Sequence, residues 1–460
     1  MMWRKFASRA AAAMLVACTS AVLVSGPLRA QTPPAIQAIP ATQADLRAAG
    51  DALFKRMLVK PDDLDAAFRF SEIQSQLGDY EAAIGALERM LFYNRDLPRV
   101  KLELGLLYFR LGSYEQARSY FNAAIAAGDT PDDVRGRVTS FLAQIDRRLS
   151  VNQFAFFAQA GIRSQSNANA GPDSATVRAL GFNAVLAPQF TRKRDANAFG
   201  IIKFTHVYDF ENQRGDVWES TVTAYYARQF KISTLNLGLI EVDTGPRLAL
   251  GEANIASIRP YAVGNIVTLA DRQYLAAGGA GLSLRYITDI GLTLEPGVEI
   301  RGRNFSNSPA YPTATDQQGR QVTAALAVNA PLNFIDGLKW QSRFSYARVD
   351  ASNRAYSSNQ FALEVALPYE FDGPLGQAGH KWTFAPFASY SDTSYVRVNP
   401  LVDPNIKRHD REFHVGANLD MVLFDNFGFG LQAQYVKTLS SLPNYRTNSF
   451  IVSGGPTLRF

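Results

Sequence analysis

The chain has 460 residues, too many for one ordinary core, and its length calls for two domains. A hydrophobic fraction of 47% with a mean hydropathy of −0.11 would suit a soluble protein, but aromatic residues reach 12% and charged residues only 19%, a balance that fits a barrel wall in which apolar and polar residues alternate and average out. The net charge of +6 comes from basic residues scattered along the chain, which excludes a nucleic-acid-binding stripe.

Residues 1–30 read as an export signal. Arg4, Lys5 and Arg9 form a basic start, and residues 10–24 form an apolar run too short for an ordinary spanning helix. Cleavage is expected after Ala30, at an imperfect small-residue site whose weak point is Leu28. Leu15-Val16-Ala17-Cys18 also has the form of a bacterial lipobox, which would make Cys18 a lipidated first residue. The apolar run continues past it through Ala21-Val22-Leu23-Val24, so Cys18 reads as a small hydrophobe within the run. It is the only cysteine, and with its loss disulfides and Cys-based metal or nucleophile sites drop out. The Pro-rich residues 31–41 read as a linker.

Over residues 42–150 the apolar period is helical, and two stretches recur 34 positions apart, at Leu77 and at Leu111. Leu77-Gly78-Asp79-Tyr80-Glu81 with Ala83 and Leu87 aligns with Leu111-Gly112-Ser113-Tyr114-Glu115 with Ala117 and Phe121. The pattern resembles the tetratricopeptide repeat, whose period it shares. Gly78 and Gly112 permit the tight helix-to-helix turn, Tyr80 and Tyr114 are expected to pack across it, and Ala83 and Ala117 let the paired helices approach. Two repeats alone are marginal, so flanking helices over 42–59 and 131–149 are expected to complete and cap the stack. Ala67 stands where the family often carries Trp, and Ser71 where Gly is usual.

From residue 151 to 460 the period changes to strict alternation, the signature of strands with one face toward lipid and the other toward something wetter. Phe154, Phe156, Ala158, Ala160 and Ile162 share one face, and Gln153, Gln159, Gly161 and Arg163 the other. Leu338, Trp340, Phe344 and Tyr346 oppose Lys339, Gln341, Arg343 and Ser345. Phe413, Val415, Ala417, Leu419 and Met421 oppose Glu412, His414, Gly416, Asn418 and Asp420, and Phe427, Phe429, Leu431, Ala433 and Tyr435 oppose Gly428, Gly430, Gln432 and Gln434.

A soluble β-sandwich would alternate too, but three features favour a transmembrane barrel. Strands of about ten residues or more are long for a sandwich and fit a tilted span of a bilayer. Short turns such as Phe424-Asp425-Asn426 alternate with longer loops such as 304–319 and 396–407, the asymmetry of outer-membrane barrels with tight periplasmic turns and long external loops. Finally, Ser453, Gly455, Leu458 and Phe460 resemble the C-terminal signal read by the barrel assembly machinery. The expected fold class is therefore α+β in two domains: a periplasmic tetratricopeptide-repeat domain over 42–150, then an antiparallel outer-membrane β-barrel over 151–460. Counting strands gives fifteen, which an even-numbered barrel excludes. The fault lies between 232 and 269, where 234–244 and 258–269 both read as running outward. Fourteen strands are expected, with sixteen as the alternative.

Repeats fused directly to a barrel of about fourteen strands resemble the surface lipoprotein assembly modulator (Slam) family, the outer-membrane translocons of the type XI secretion pathway. The local match lies after the first strand, at Ser166-Asn167-Ala168-Asn169-Ala170-Gly171-Pro172, where the family commonly carries an Asn-x-Asn-x-Ala-Pro type stretch and Gly171 here intrudes. Asn167 and Asn169 read on their own as turn formers that tolerate left-handed backbone. The resemblance implies movement of surface lipoproteins or soluble secreted protein across the outer membrane without nucleotide hydrolysis. The implied partners are outer-membrane lipid, the barrel assembly machinery, protein cargo and a periplasmic chaperone, with no nucleic acid. Two other readings stand beside it: an exopolysaccharide export porin, and a diffusion porin with an accessory domain. A polysaccharide pore should carry a continuous one-sign belt, whereas Lys339, Arg343, Glu412, His414 and Asp420 are mixed in sign.

Neither an enzyme nor a cofactor is expected, because P-loop, Gly-x-Ser-x-Gly and His-Glu-x-x-His patterns are all missing from the sequence. His409 and His414 fall on opposite faces of a predicted strand, which argues against a shared metal. Gly238, Gly264 and Gly278-Gly279 with Gly281 read as close-packing glycines, since no helix follows them. Tetratricopeptide domains bind along a concave face lined by the first helix of each repeat. Carrying those positions across gives a candidate cargo groove of Phe68, Glu72 and Gln76 from one repeat and Arg99, Leu102, Leu106, Phe109 and Arg110 from the next. Leu102, Leu106 and Phe109 read equally well as core. Arg99, Arg110 and Glu72 are the better candidates, because a charge on a helix packed on two sides must face water or a partner.

Overall fold

The computed structural model describes residues 43–126, 132–212, 214–251, 255–375 and 379–460. The expected export signal, Cys18 and the linker lie outside the described residues. The chain divides into two compact units, with the division between Ser150 and Val151.

Among the described residues six helices make the first unit: α1 Gln43–Val59, α2 Leu64–Leu77, α3 Tyr80–Tyr93, α4 Pro98–Arg110, α5 Tyr114–Ile125 and α6 Asp132–Leu149. Asp63 and Asp79 cap α2 and α3 by accepting the amides of Ala66 at 3.0 Å and Ala82 at 3.1 Å. Pro98 opens α4, where its missing N–H leaves no bond unmade. Gly78 and Gly112 follow α2 and α4 with φ of 84° and 78°, the left-handed conformation the turn needs. Two cores result, one holding Met57, Ala66, Phe70, Ala83, Leu87 and Leu104, and one holding Ala117, Phe121, Val138 and Ile145. The two departures from the repeat pattern are absorbed in packing. Ala67 and Ser71 are both buried, and the Ser71 hydroxyl donates to the carbonyl of Phe68 at 2.7 Å.

The described residues of the second unit contain seventeen strand segments: β1 Asn152–Gln165, β2 Thr176–Ala179, β3 Phe182–Val185, β4 Asp195–Asp209, β5 Val217–Gln229, β6 Leu237–Leu250, β7 Ala256–Leu269, β8 Arg272–Ile287, β9 Thr293–Phe305, β10 Gly319–Pro331, β11 Lys339–Ala351, β12 Ser358–Ala366, β13 Tyr369–Asp372, β14 Lys381–Tyr395, β15 His409–Val422, β16 Phe427–Ser440 and β17 Thr447–Arg459. β2 and β3 form a hairpin of their own in the loop after β1, and the other fifteen segments form one antiparallel sheet. β12 and β13 both pair with β14 and are parted only by Leu367-Pro368, so they are halves of one strand and the sheet has fourteen strands. It closes on itself where β1 pairs with β17, Ala158 opposite Leu458. A closed sheet leaves no strand edge exposed.

The stretch expected to run outward from 234 is the return strand β6, antiparallel to both β5 and β7. Alternation fixes which face a side chain takes but not the direction of a strand, and direction has to be counted from turns. The reversal at 230–236 is a compact 3-10 turn with neither Gly nor Pro to mark it. Exposure follows the alternation: Phe344 is 50% and Val415 61% exposed on the outward face, whereas His414, next to Val415, is 9% exposed and faces the lumen. His409 and His414 therefore take opposite faces, paired with Asp392 and Glu412 respectively.

The three longest loops, 166–194, 306–318 and 396–408, lie at the end reached by β1. They are pinned to their neighbours. Leu180 and Gly181, at the tip of the β2–β3 hairpin, donate backbone amides to Leu401 and Val402 at 3.2 and 3.1 Å. Arg178 Nε donates to the fully buried Asp403 at 2.9 Å, and the Arg178 backbone exchanges two bonds with the Asn444 side chain. Asn167 and Asn169 also lock the loop with their side chains. Asn167 bonds both backbone groups of Gly171, at 2.9 and 2.8 Å, and Asn169 bonds Thr191 and Lys193, each at 2.8 Å. The left-handed residue is Ala170, at φ 46°, and neither asparagine has a positive φ. The intruding Gly171 is there because the backbone of Arg192 comes within 2.6 Å of where its Cβ would be.

At the β1–β17 seam the pairing skips the level of Pro456, which has no N–H to give. Next to it, a Cβ on Gly455 would lie 1.8 Å from the carbonyl oxygen of Ala160. Phe460 and Phe156 exchange both backbone bonds at 3.0 Å, and Leu458 and Phe460 point outward while Ser453 and Gly455 face the lumen. Gly455→Val should therefore prevent closure and abolish the compact, heat-modifiable band on unboiled gels. Gly200→Val, where an added Cβ meets nothing within 4 Å, should retain it.

Candidate functional site

The groove residues come from α2 and α4. Glu72, Gln76, Arg99 and Arg110 are exposed and Phe68 is half-buried. The two arginines are fixed in place by rings rather than by carboxylates. The Arg99 guanidinium lies 4.8 Å from the centre of the Phe68 ring, and that of Arg110 lies 5.8 Å from the centre of the Tyr80 ring. Arg110 also donates to the hydroxyl of Ser75 at 3.3 Å. Leu102, Leu106 and Phe109 are half-buried and pack against the second helical core, with Phe109 edge-on to Tyr114 and Phe141 at 5.6 and 5.2 Å.

Glu103 belongs to the groove and was missed from sequence. Burial pushes its carboxyl above the ordinary glutamate range, and Glu72 adds to the rise, while Arg99, Arg110 and Arg137 of α6 oppose it. The signal was available in its spacing, because Glu103 lies four residues after Arg99 and seven before Arg110, on the same helix face.

The lumen is lined by paired charges along β5 to β9. Glu219 accepts two bonds from Arg247, at 2.7 and 3.1 Å, and also pairs with Arg259 at 3.1 Å. Arg259 reaches Asp243 at 2.5 Å, Arg247 reaches Glu295 at 3.3 Å, and Arg301 joins Glu241 to Glu299. On the opposite wall Lys339 pairs with Glu370, His414 and Thr438 bond Glu412, Asp420 pairs with Arg459, and Arg343 stands opposite Glu364 in the ladder. Loop 306–318 turns back into the barrel. Its Tyr311 is buried against the inward-facing Leu239, Val267 and Phe305 and donates its hydroxyl to the carbonyl of Thr234 at 2.6 Å. No group of His, Cys, Asp and Glu able to hold a metal ion occurs among the described residues, and none of their helices is long and apolar enough to cross a membrane.

A tetratricopeptide-repeat family model matches residues 68–132. No curated protein matches the chain. Among solved structures, PcrH in complex with the chaperone binding region of PopD is 19% identical over 23% of this chain and 83% of its own, with a TM-score of 0.22. The Yersinia enterocolitica type III secretion chaperone SycD, in complex with a peptide of the translocator YopD, is 16% identical over 23% of this chain and 84% of its own, with a TM-score of 0.22. MamA is 17% identical over 23% of this chain and 61% of its own, with a TM-score of 0.21.

An ionised Glu103 is held against its own burial, so its raised carboxyl favours the folded state at low pH, and that contribution is lost as pH rises through the folded-state value. Glu103→Gln removes the cost. The variant should unfold at a higher temperature than wild type at pH 7.5, followed by helical circular dichroism on the full chain, and the gain should shrink below the ordinary glutamate range.

Proposed function

We propose that this chain is an outer-membrane translocon that passes surface lipoproteins or soluble secreted protein out of the cell, with its repeat domain as a periplasmic receptor for cargo or its chaperone. The observation that carries this reading is the union, in one chain, of a small repeat domain with an open charged groove and a closed fourteen-strand barrel with an apolar outer face. Such a wall suits a bilayer, where every backbone group must be paired within the sheet. Only Ser150 and Val151 separate α6 from β1, so the receptor stays tethered to the barrel. The order of repeats followed by barrel resembles that of the Slam-type translocons. The protein acts by binding and passage, with no catalytic chemistry and no cofactor, and its remaining partners are outer-membrane lipid and the barrel assembly machinery.

The mixed-sign lumen favours protein passage over the polysaccharide-porin reading, since neither wall presents a one-sign belt to a uniform polymer. A diffusion porin would leave the repeat domain without a role.

Two measurements test the parts separately. Ala433→Arg, halfway along β16, places a charge on the outer face near the bilayer midplane and should cost roughly 2–4 kcal/mol, lowering the amount of inserted barrel, while Gln432→Arg on the lumen face should insert normally. Equal insertion of the two would defeat the membrane reading. Replacing Arg99 and Arg110 together with Glu should abolish surface delivery of the exported protein, while barrel insertion and helix content stay at wild-type levels. Undiminished delivery would show that the groove is not the docking site.

A further inference from the structure

The groove has a charge order that specifies more than a protein partner. Arg99, Glu103 and Arg110 lie on one face of α4, since eleven residues at 100° each return to within about 20° of the starting direction. At about 1.5 Å per residue, the two arginines are roughly 16 Å apart, with Glu103 about a third of the way between them. Glu72 of the neighbouring α2 acts on Glu103 through space, so the middle of the stripe is acidic and its ends are basic. Among the described residues no carboxylate lies within ion-pair distance of Arg99 or Arg110; their partners are the rings of Phe68 and Tyr80 and the neutral hydroxyl of Ser75. A guanidinium held over a ring face by cation–π attraction still has N–H groups to spare, and these can take a carboxylate.

Resting on the receptor reading above, we propose that the groove binds an extended cargo segment carrying two carboxylate side chains about six residues apart with a cationic side chain between them. An extended chain rises about 3.3 Å per residue and returns a side chain to the same face every second residue, so six steps reach about 20 Å, and the long arginine side chains take up the excess over the spacing of Arg99 and Arg110. The central cation then meets Glu103 and Glu72, and the half-buried Glu103 gains the partner it lacks. A polyanion such as nucleic acid is disfavoured by the same two glutamates. A purely apolar helix is disfavoured because guanidinium groups cover the Phe68 and Tyr80 rings.

The test uses the full chain in detergent and fluorescein-labelled synthetic peptides followed by anisotropy. One peptide carries the acid, base, acid order at this spacing, a second has the same composition with its acids adjacent, and a third has every sign reversed. The first should bind at least about tenfold more tightly than the others, a difference of about 1.4 kcal/mol. Reversing the stripe with Arg99→Glu, Arg110→Glu and Glu103→Lys should transfer the preference to the third peptide. Glu72→Lys, at an exposed position, should reduce the first peptide's advantage without touching the core. If the three peptides bind alike, or none binds, the proposed charge order is wrong. Loss of surface delivery in the double arginine variant alongside such a result would leave the receptor reading standing and remove only this one.

Discussion

Everything in the second unit depends on the backbone ladder joining β1 to β17. An unpaired N–H or C=O facing an apolar medium costs several kcal/mol, so a sheet with Phe154, Phe344 and Val415 on its outside is stable only when its first and last strands meet. Closure has two consequences. An even number of strands brings the start of β1 and the end of β17 to the same end of the barrel, and sends the three long loops to the other. Alternation then turns every second residue inward. The inward charges are gathered where β5 to β9 run side by side, and there Arg247, Arg259, Arg285 and Arg301 each find a carboxylate on a nearby strand, while Arg303 lies over the Phe305 ring. Truncating one member of such a half-buried pair leaves the other without compensation.

The helical unit solves the opposite problem. It holds charge unpaired yet ordered. Stacking on Phe68 and Tyr80 orders Arg99 and Arg110 without neutralising them. Glu103 is held away from full ion pairing and half removed from water, a disfavoured state that a ligand would relieve.

What was legible in the sequence is what periodicity encodes. The repeat turns at Gly78 and Gly112, the helices flanking them and the faces of residues such as Trp340, His414 and Phe427 all follow from local pattern. Strand direction at β6 was not legible, because a reversal through Phe230 to Asn236 contains no residue that demands a turn. Glu103 escaped because half-burial of a charge depends on what the next helix places over it, and Arg137, which also acts on it, comes from two helices further on. The locks made by Asn167 and Asn169 looked like backbone preferences, whereas their side chains do the bonding and Ala170 takes the left-handed conformation. Bonds between residues more than 200 positions apart, such as Arg178 with Asp403, leave no trace in any local window.

Those distant bonds impose an order on assembly. The hairpin after β1 is made early in the chain, but the groups that hold it, Leu401, Val402, Asp403 and Asn444, sit on loops between the last strands. Contacts of such long sequence separation form late, after the intervening chain has been organised. The hairpin can dock only once β14 to β17 are in place and β17 has found β1. Until then Asp403 has no guanidinium to pair with, and Leu180 and Phe182 hang from an undocked ribbon open to proteolysis. The docked hairpin thus marks a chain whose last strands are already in place.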